Sequence, residues 1–504
     1  LTLSTGNNIS GADIIISLFD STASSGIDAL TLSNIGGTVT FPGSVSTATL
    51  SANNTVANII FTGSTNTFSA ASTLANDGTL TFGNSTGDSF TFNGGLTTSS
   101  VAGTVTLNTS ISSSDDALTF GAVTLGNNVT IDTNSTTTNR ADITIAAITG
   151  GNNTLTLTTE NNVTGSDVTA NGNITGVTTL TLLNVGGTAT LSADVDVTTL
   201  TVGNTVANVA FTGNGSSVVN AVAFANDGTL ILGTSGGTQT YNGGLTTTGV
   251  GGTVTLNGTI ASSDDAIVLG AVTLGSATTV DTNSTTTNRA DITIAAITGG
   301  SNTLTLTTEN NVTGSDITAS GNISGVTTLT LASVGGTATL SGDVDVTTLT
   351  VGNTVANVLL TGSGTSVTNA VTFANDGTLT IGDAAGDTFV FDGGLTENTS
   401  GTVTLAGSID SSNDDITFGA VTLAAATNID TNATDTTGDI IIGAVTGANN
   451  NLTLDTTTST GSADITFTGD INLGSGALDV TGDVVLGANV TVTTTKSSGN
   501  GIVL

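Results

Sequence analysis

DGTLTFGNSTGDSFTFNGGL, residues 77–96, alternates apolar and polar side chains and closes on a glycine pair. Alternation with a period of two places Leu80, Phe82, Phe90 and Phe92 on one face of extended chain and the threonines on the other. The stretch returns as DGTLILGTSGGTQTYNGGL at 227–245 and as DGTLTIGDAAGDTFVFDGGL at 376–395. An active site is needed once, whereas a building unit is needed many times.

Other markers recur in step with it: Val56, Val206 and Val355; Gly94, Gly243 and Gly393; Asp115, Asp264 and Asp414, always at intervals of 149 or 150 residues. A shorter period lies inside. The strand cores at Leu155, Leu180, Leu200, Leu230, Val254, Val280 and Leu304 are 20 to 30 residues apart, with a mean near 25, so six such units fill one long repeat. Periods of this size point to solenoids, propellers or arrays. About 25 residues is short for a four-stranded propeller blade and long enough for a coil of two or three short strands. No run of helix formers shows a 3.6-residue period, and Gly, Asn and Asp, which tolerate the left-handed conformations of tight corners, punctuate the chain.

The predicted fold is therefore all-β: a β-solenoid, or parallel β-helix, running as one continuous rod over residues 1–504. Its long repeats cover approximately 1–154, 155–303 and 304–451, with a truncated fourth at 452–504. Coils stacked about 4.8 Å apart would give roughly 20 coils and a rod on the order of 100 Å long. Phe82, Phe90 and Phe92, answered by Leu232, Tyr241, Ile381, Phe389 and Phe391, are read as core fillers.

Composition narrows the function. The chain has no His, Cys, Met or Trp, and three basic residues, Arg140, Arg289 and Lys496, stand against 38 acidic ones for a net charge of −35. General acid–base work near neutral pH usually falls to His, and soft metals need His or Cys. A phosphate backbone would be repelled, which excludes nucleic acid as a partner, and anionic membrane surfaces for the same reason. Disorder is the alternative for so acidic and Gly-, Ser- and Asn-rich a chain. Yet 37% of residues are hydrophobic and they are placed periodically, so the chain should fold.

The tandem LTLT, GTVTL and GGTATL segments with NNVTGSD, spread over nearly all 504 residues, resemble the β-strand-repeat surface proteins of bacteria. That broad group contains filamentous-haemagglutinin-type adhesins and autotransporter passenger domains. The resemblance implies a secreted, cell-surface β-helix acting in adhesion, biofilm or sheath formation, with surface glycans or other cells as partners. It supplies no catalytic residue.

Three constellations offer candidate sites. Carboxylate clusters at Asp115–Asp116, Asp264–Asp265, Asp414–Asp415, Asp194 with Asp196, and Asp343 with Asp345 could supply calcium ligands; solvated corner turns are the favoured reading, because the calcium-binding nonapeptide pattern is absent. The same pairs offer glycosidase carboxylates, but they recur in each long repeat beside little aromatic surface, so no enzyme, catalytic residue, metal or cofactor is expected. T-x-T segments resemble ice-binding β-helices, and the drift in coil length is expected to spoil a regular threonine lattice. Asn-x-Ser/Thr sequons such as Asn128, Asn162 and Asn311 follow from composition.

The chain contains no Met, leader or transmembrane run, and is expected to be a mature or excised piece. Residues 486–502 resemble the segment from Leu125 onward, which in the long repeat directly precedes the equivalent of residues 1–14. End-to-end subunits and a window from a longer rod both fit this phasing. For the first, a head-to-tail joint between Leu1, Thr2, Leu3, Ser4 and Gly501, Ile502, Val503, Leu504 is predicted. The expected function is an extracellular filament, sheath or surface stalk; a carbohydrate-active β-helix of the tailspike or polysaccharide-lyase kind is the alternative.

Overall fold

A computed structural model describes residues 1–504 except 7–9, 18, 21–27, 135–139, 161–163, 285–288, 310–311, 433–436, 458–462 and 498. Among the described residues there is no helix, and the paired strands run parallel. The chain divides into two compact units, Leu1–Thr255 and Leu256–Leu504. Each is a stretch of parallel β-solenoid with coils of about 22 residues.

In unit 1, every coil has three strand-bearing sides, some strands running on over two of them, and each side sits on its counterpart in the coil before. The first side runs through the register Leu96–Leu118–Ile143–Val168–Ala189–Val209–Leu230. The second runs through Val39–Ile59–Leu80–Val105–Val123–Ile148–Ile174–Val195. The third carries Phe90–Ile111–Ile131–Leu157–Leu182–Val202. All of these residues are buried. Identical apolar positions stack because the alternation repeats in phase; Ile35–Phe41, for example, buries every second residue. Unit 2 is built alike, with one side running Ile267–Ile292–Ile317–Ala338–Val358–Leu379–Val403–Val421–Val445–Ile471.

The coil is somewhat shorter than the expected 25 residues for a geometric reason. Leu155, Leu180 and Leu200 share a side, but Leu230 lies on the side after it, so the Leu200–Leu230 interval spans more than one coil. The long repeat likewise does not hold a whole number of coils. From Leu30 the chain passes six complete coils to Val168 and then two further sides before reaching Leu180, the repeat equivalent of Leu30. Unit 2 shows the same offset between Ile267 and Ile416: six coils to Val403, then two more sides. One long repeat is six and two-thirds coils, and equivalent residues occupy different sides.

The closing glycines of the opening stretch have separate tasks. A Cβ on Gly94 would lie 2.2 Å from the Ala70 carbonyl carbon of the coil below, whereas Gly95 adopts φ +85°. Gly243 with Gly244 and Gly393 with Gly394 repeat the pair, the second member at φ +92° and +86°. The first glycine permits backbone contact between coils, and the second turns the corner.

Candidate functional site

The predicted joint residues lie on terminal strands. Thr2 and Leu3 pair with Thr31 and Leu32. The Leu1 amino group donates to the Ala29 carbonyl at 2.6 Å, and the Ser4 hydroxyl accepts from the Gly6 N–H at 3.1 Å. Ile502 and Val503 pair with Leu478 and Asp479, and the Leu478 N–H donates to the Gly501 carbonyl at 2.9 Å. Each strand pairs along one edge among the described residues, and Leu1, Ile502, Val503 and Leu504 are exposed.

The carboxylate clusters are corner devices. Asp115 and Asp264 hold φ +63° and +64°, and Asn413 takes the corresponding place in the third copy at φ +69°. The preceding Ser113, Ser262 and Ser411 hydroxyls donate across the turn to the carbonyls of Asp116, Asp265 and Asp414, each at 2.5 Å. Asp194 and Asp343 accept the N–H groups of Gly215 at 2.6 Å and Gly364 at 2.8 Å in the following coil. Among the described residues, no group of three or more Asp, Glu, His or Cys side chains is disposed to hold a metal ion.

A second corner places Asp132, Asp281 and Asp430 two residues before Asn134, Asn283 and Asn432, whose N–H groups they accept at 2.7 to 2.8 Å. Burial pushes all three carboxyls above the usual range, against the lowering effect of those N–H bonds. Burial raises Asp410 in the same way. Asp410, Asp430 and Asp455 lie in register on successive coils.

Outward threonines form the most regular surface. Thr154, Thr179 and Thr199 stack in register, as do Thr130, Thr156, Thr181 and Thr201. Drift in coil length therefore does not spoil the threonine rows, contrary to the sequence-based expectation: extra residues are taken up at corners while the strands keep their register. Of the sequons, Asn162 and Asn311 lie outside the described residues, and the Asn128 amide oxygen accepts the Thr154 N–H of the next coil at 2.9 Å.

Two arrangements escaped the sequence reading. Arg140 donates Nε to Asp142 at 3.1 Å and Nη2 to Asp167, one coil on, and Arg289 repeats this with Asp291 at 3.1 Å and Asp316. The signal was present in the shared NRAD, but its second partner lies 27 residues away and is visible only once the coil register is known. In the core, Gln239 accepts a hydrogen bond from the Tyr241 hydroxyl at 2.9 Å and donates to the Phe211 carbonyl at 2.8 Å.

No known protein family, curated protein or solved structure matches this chain. The parallel β-solenoid is the class that the fold itself defines, consistent with β-helix repeat proteins.

Proposed function

We propose that this chain is an extracellular structural protein whose stacked coils build a filament, sheath or surface stalk, with adhesion through its threonine rows. A β-solenoid is compatible with structural or adhesive roles and with carbohydrate-active ones. The observation that favours the mechanical role is where the polar side chains go. Asp13, Asp142, Asp167, Asn208 and Asn357 each accept a backbone N–H from the next coil at 2.7 to 2.9 Å. Such bonds hold coils together and leave few groups for chemistry.

In this reading the partner is a second copy, joined head to tail through Leu1 to Ser4 and Gly501 to Leu504, because an unpaired strand edge satisfies its N–H and C=O groups by adding a strand. Surface glycans or other cells would meet the threonine rows. The chain is taken as cell-surface and non-enzymatic.

Electron microscopy of concentrated protein tests this. Fibres are expected, and Thr2→Pro or Ile502→Pro, at positions whose backbone groups face away from the paired strands at Thr31–Leu32 and Leu478–Asp479, should shorten them by removing an N–H from the joint while the melting temperature of the interior coils holds. Dispersed monomers at high concentration, or fibres of unchanged length in both variants, would sink the joint. Turnover of an acidic or neutral polysaccharide would overturn the structural reading and favour a carbohydrate-active β-helix.

A further inference from the structure

Unit 2 carries one corner twice, once with a cation and once without. In the first version Asp291 and Asp316 sit side by side on successive coils, the Asp316 N–H donates to Asp291 Oδ1 at 2.9 Å, and Arg289 bridges both carboxylates from two residues before Asp291. Unit 1 has the same triad in Arg140, Asp142 and Asp167. In the last version the backbone bonds are kept: the Asp439 N–H donates to Asp415 Oδ1 at 2.9 Å and the Asp464 N–H to Asp439 Oδ1 at 2.8 Å. Three aspartates are thus stacked, and the residue two before Asp439 is Thr437. The chain's three cations are Arg140, Arg289 and Lys496, and its ion pairs among the described residues form at the two arginines.

Two further observations mark the place. A cleft of about 590 Å³ opens there, lined by Asp414, Asp415, Asp439 and the hydroxyl-bearing Thr372, Thr396 and Thr437. Beneath it, Thr431 has lost its partner. The equivalent Thr133 and Thr282 donate to the carbonyls of Ala141 and Ala290 at 3.2 Å, whereas the fully buried Thr431 Oγ1 has no hydrogen bond. The loop between Asn432 and Asp439 is one residue shorter than that between Asn283 and Asp291, and its Arg is gone.

We propose that the Asp415–Asp439–Asp464 stack receives the guanidinium of an arginine from a partner protein, in the place that Arg140 and Arg289 fill in the other two copies. Asp439 Oδ1 is occupied by a backbone N–H, as Asp291 Oδ1 is, and Asp291 still takes the Arg289 Nε on that atom. A planar fork with several N–H groups suits two carboxylates in a row. Calcium instead wants six to eight converging oxygens, which a linear stack does not provide. This assignment is independent of whether the chain polymerises.

The test uses the full chain with hexa-arginine as the probe, followed by calorimetry at ~0.15 M salt, with hexa-lysine and calcium chloride as comparators. Hexa-arginine should bind more tightly than hexa-lysine. Thr437→Arg, which places a guanidinium where Arg289 stands in the earlier copy, should weaken that binding at least tenfold and raise the melting temperature. Thr350→Arg, with the same charge change on an exposed strand position away from the cleft, should leave binding within about twofold. Equal losses in the two variants would reduce the effect to net charge and overturn the site. So would equal affinity for the two peptides, or calcium raising the melting temperature where hexa-arginine does not bind.

Discussion

Residues 77–96 and 227–245 fill the same slot of the long repeat within unit 1, yet their interiors differ. In the first, Phe82 stacks on Phe61 with ring centroids 5.6 Å apart, Phe61 stacks on Phe41 at 4.7 Å, and Phe90 and Phe92 meet Phe82 edge-on at 5.2 and 5.9 Å. In the second, Leu232 replaces Phe82, Gln239 replaces Phe90 and Tyr241 replaces Phe92, and the two polar residues are fully buried against one another. The slot requires volume and satisfied polar atoms rather than a particular residue. An aromatic ladder meets the requirement by packing; the Gln–Tyr pair meets it by hydrogen bonding, with the Gln239 amide tied to the Phe211 carbonyl.

The largest break in this comparison should come from truncating its centre. Phe61→Ala is expected to destabilise unit 1 by ~3–5 kcal/mol, and by more than Phe211→Ala, its repeat equivalent. Phe61 has four aromatic neighbours, whereas Phe211 meets Tyr241 edge-on at 6.2 Å. Equal losses in denaturant unfolding would show that aromatic pairing adds nothing here. Next, Gln239→Leu should cost about 1–3 kcal/mol by stranding the buried Tyr241 hydroxyl, while the Phe211 carbonyl keeps the Gly233 N–H at 2.9 Å. Adding Tyr241→Phe should restore part of it, and a double-mutant cycle that came out additive would refute the coupling.

The two slots should also separate by pH. Burial raises the Tyr241 phenol well above its ordinary value near 10, so the stability it protects is present below that pH and lost as pH climbs toward the folded-state value. Tyr241→Phe should remove this alkaline loss from the melting curve. At the acid end, the raised carboxyls of Asp132, Asp281, Asp410 and Asp430 favour the protonated form in the folded state. The stability these groups contribute should therefore increase as pH falls through their raised values toward the ordinary carboxylate value of about 4. Between 6 and 9, where neither His nor Cys titrates, melting should be flat. The smallest effect belongs to Arg289→Gln, whose guanidinium is solvent-exposed and whose partners are only half-buried: a fall of no more than ~2 °C, vanishing in ~1 M salt. A larger, salt-resistant fall would mean that the bridge between coils matters more than surface pairs normally do.

Much of this was legible in the sequence. Strict alternation in Thr154–Thr158 and its relatives gave the strands, and the 149-residue interval between markers gave the repetition. Corner glycines in NGGL were visible as corners, though their division of labour needed the neighbouring coil. Phe90 and Phe92 could be assigned inward, but Gln239 reads as an outward polar residue in a TQT segment until the Tyr241 hydroxyl is found waiting for it. Distances along the chain also hide which side a strand occupies: Leu200 and Leu230 look like successive rungs, yet they belong to different ladders. The Asp-rich corners showed their charge and concealed their use: the backbone N–H groups that Asp194, Asp343 and Asp415 accept lie a full coil away.

The fractional fit of the long repeat has a consequence for how such a chain can evolve. Each added copy turns its features by one side, so a motif duplicated with its repeat points in a new direction instead of lining up behind its parent. Lengthening by whole copies thus behaves like a screw thread whose pitch is set by gene duplication. A binding feature that arises once is dealt out around the circumference, and it returns to its starting side only at every third copy.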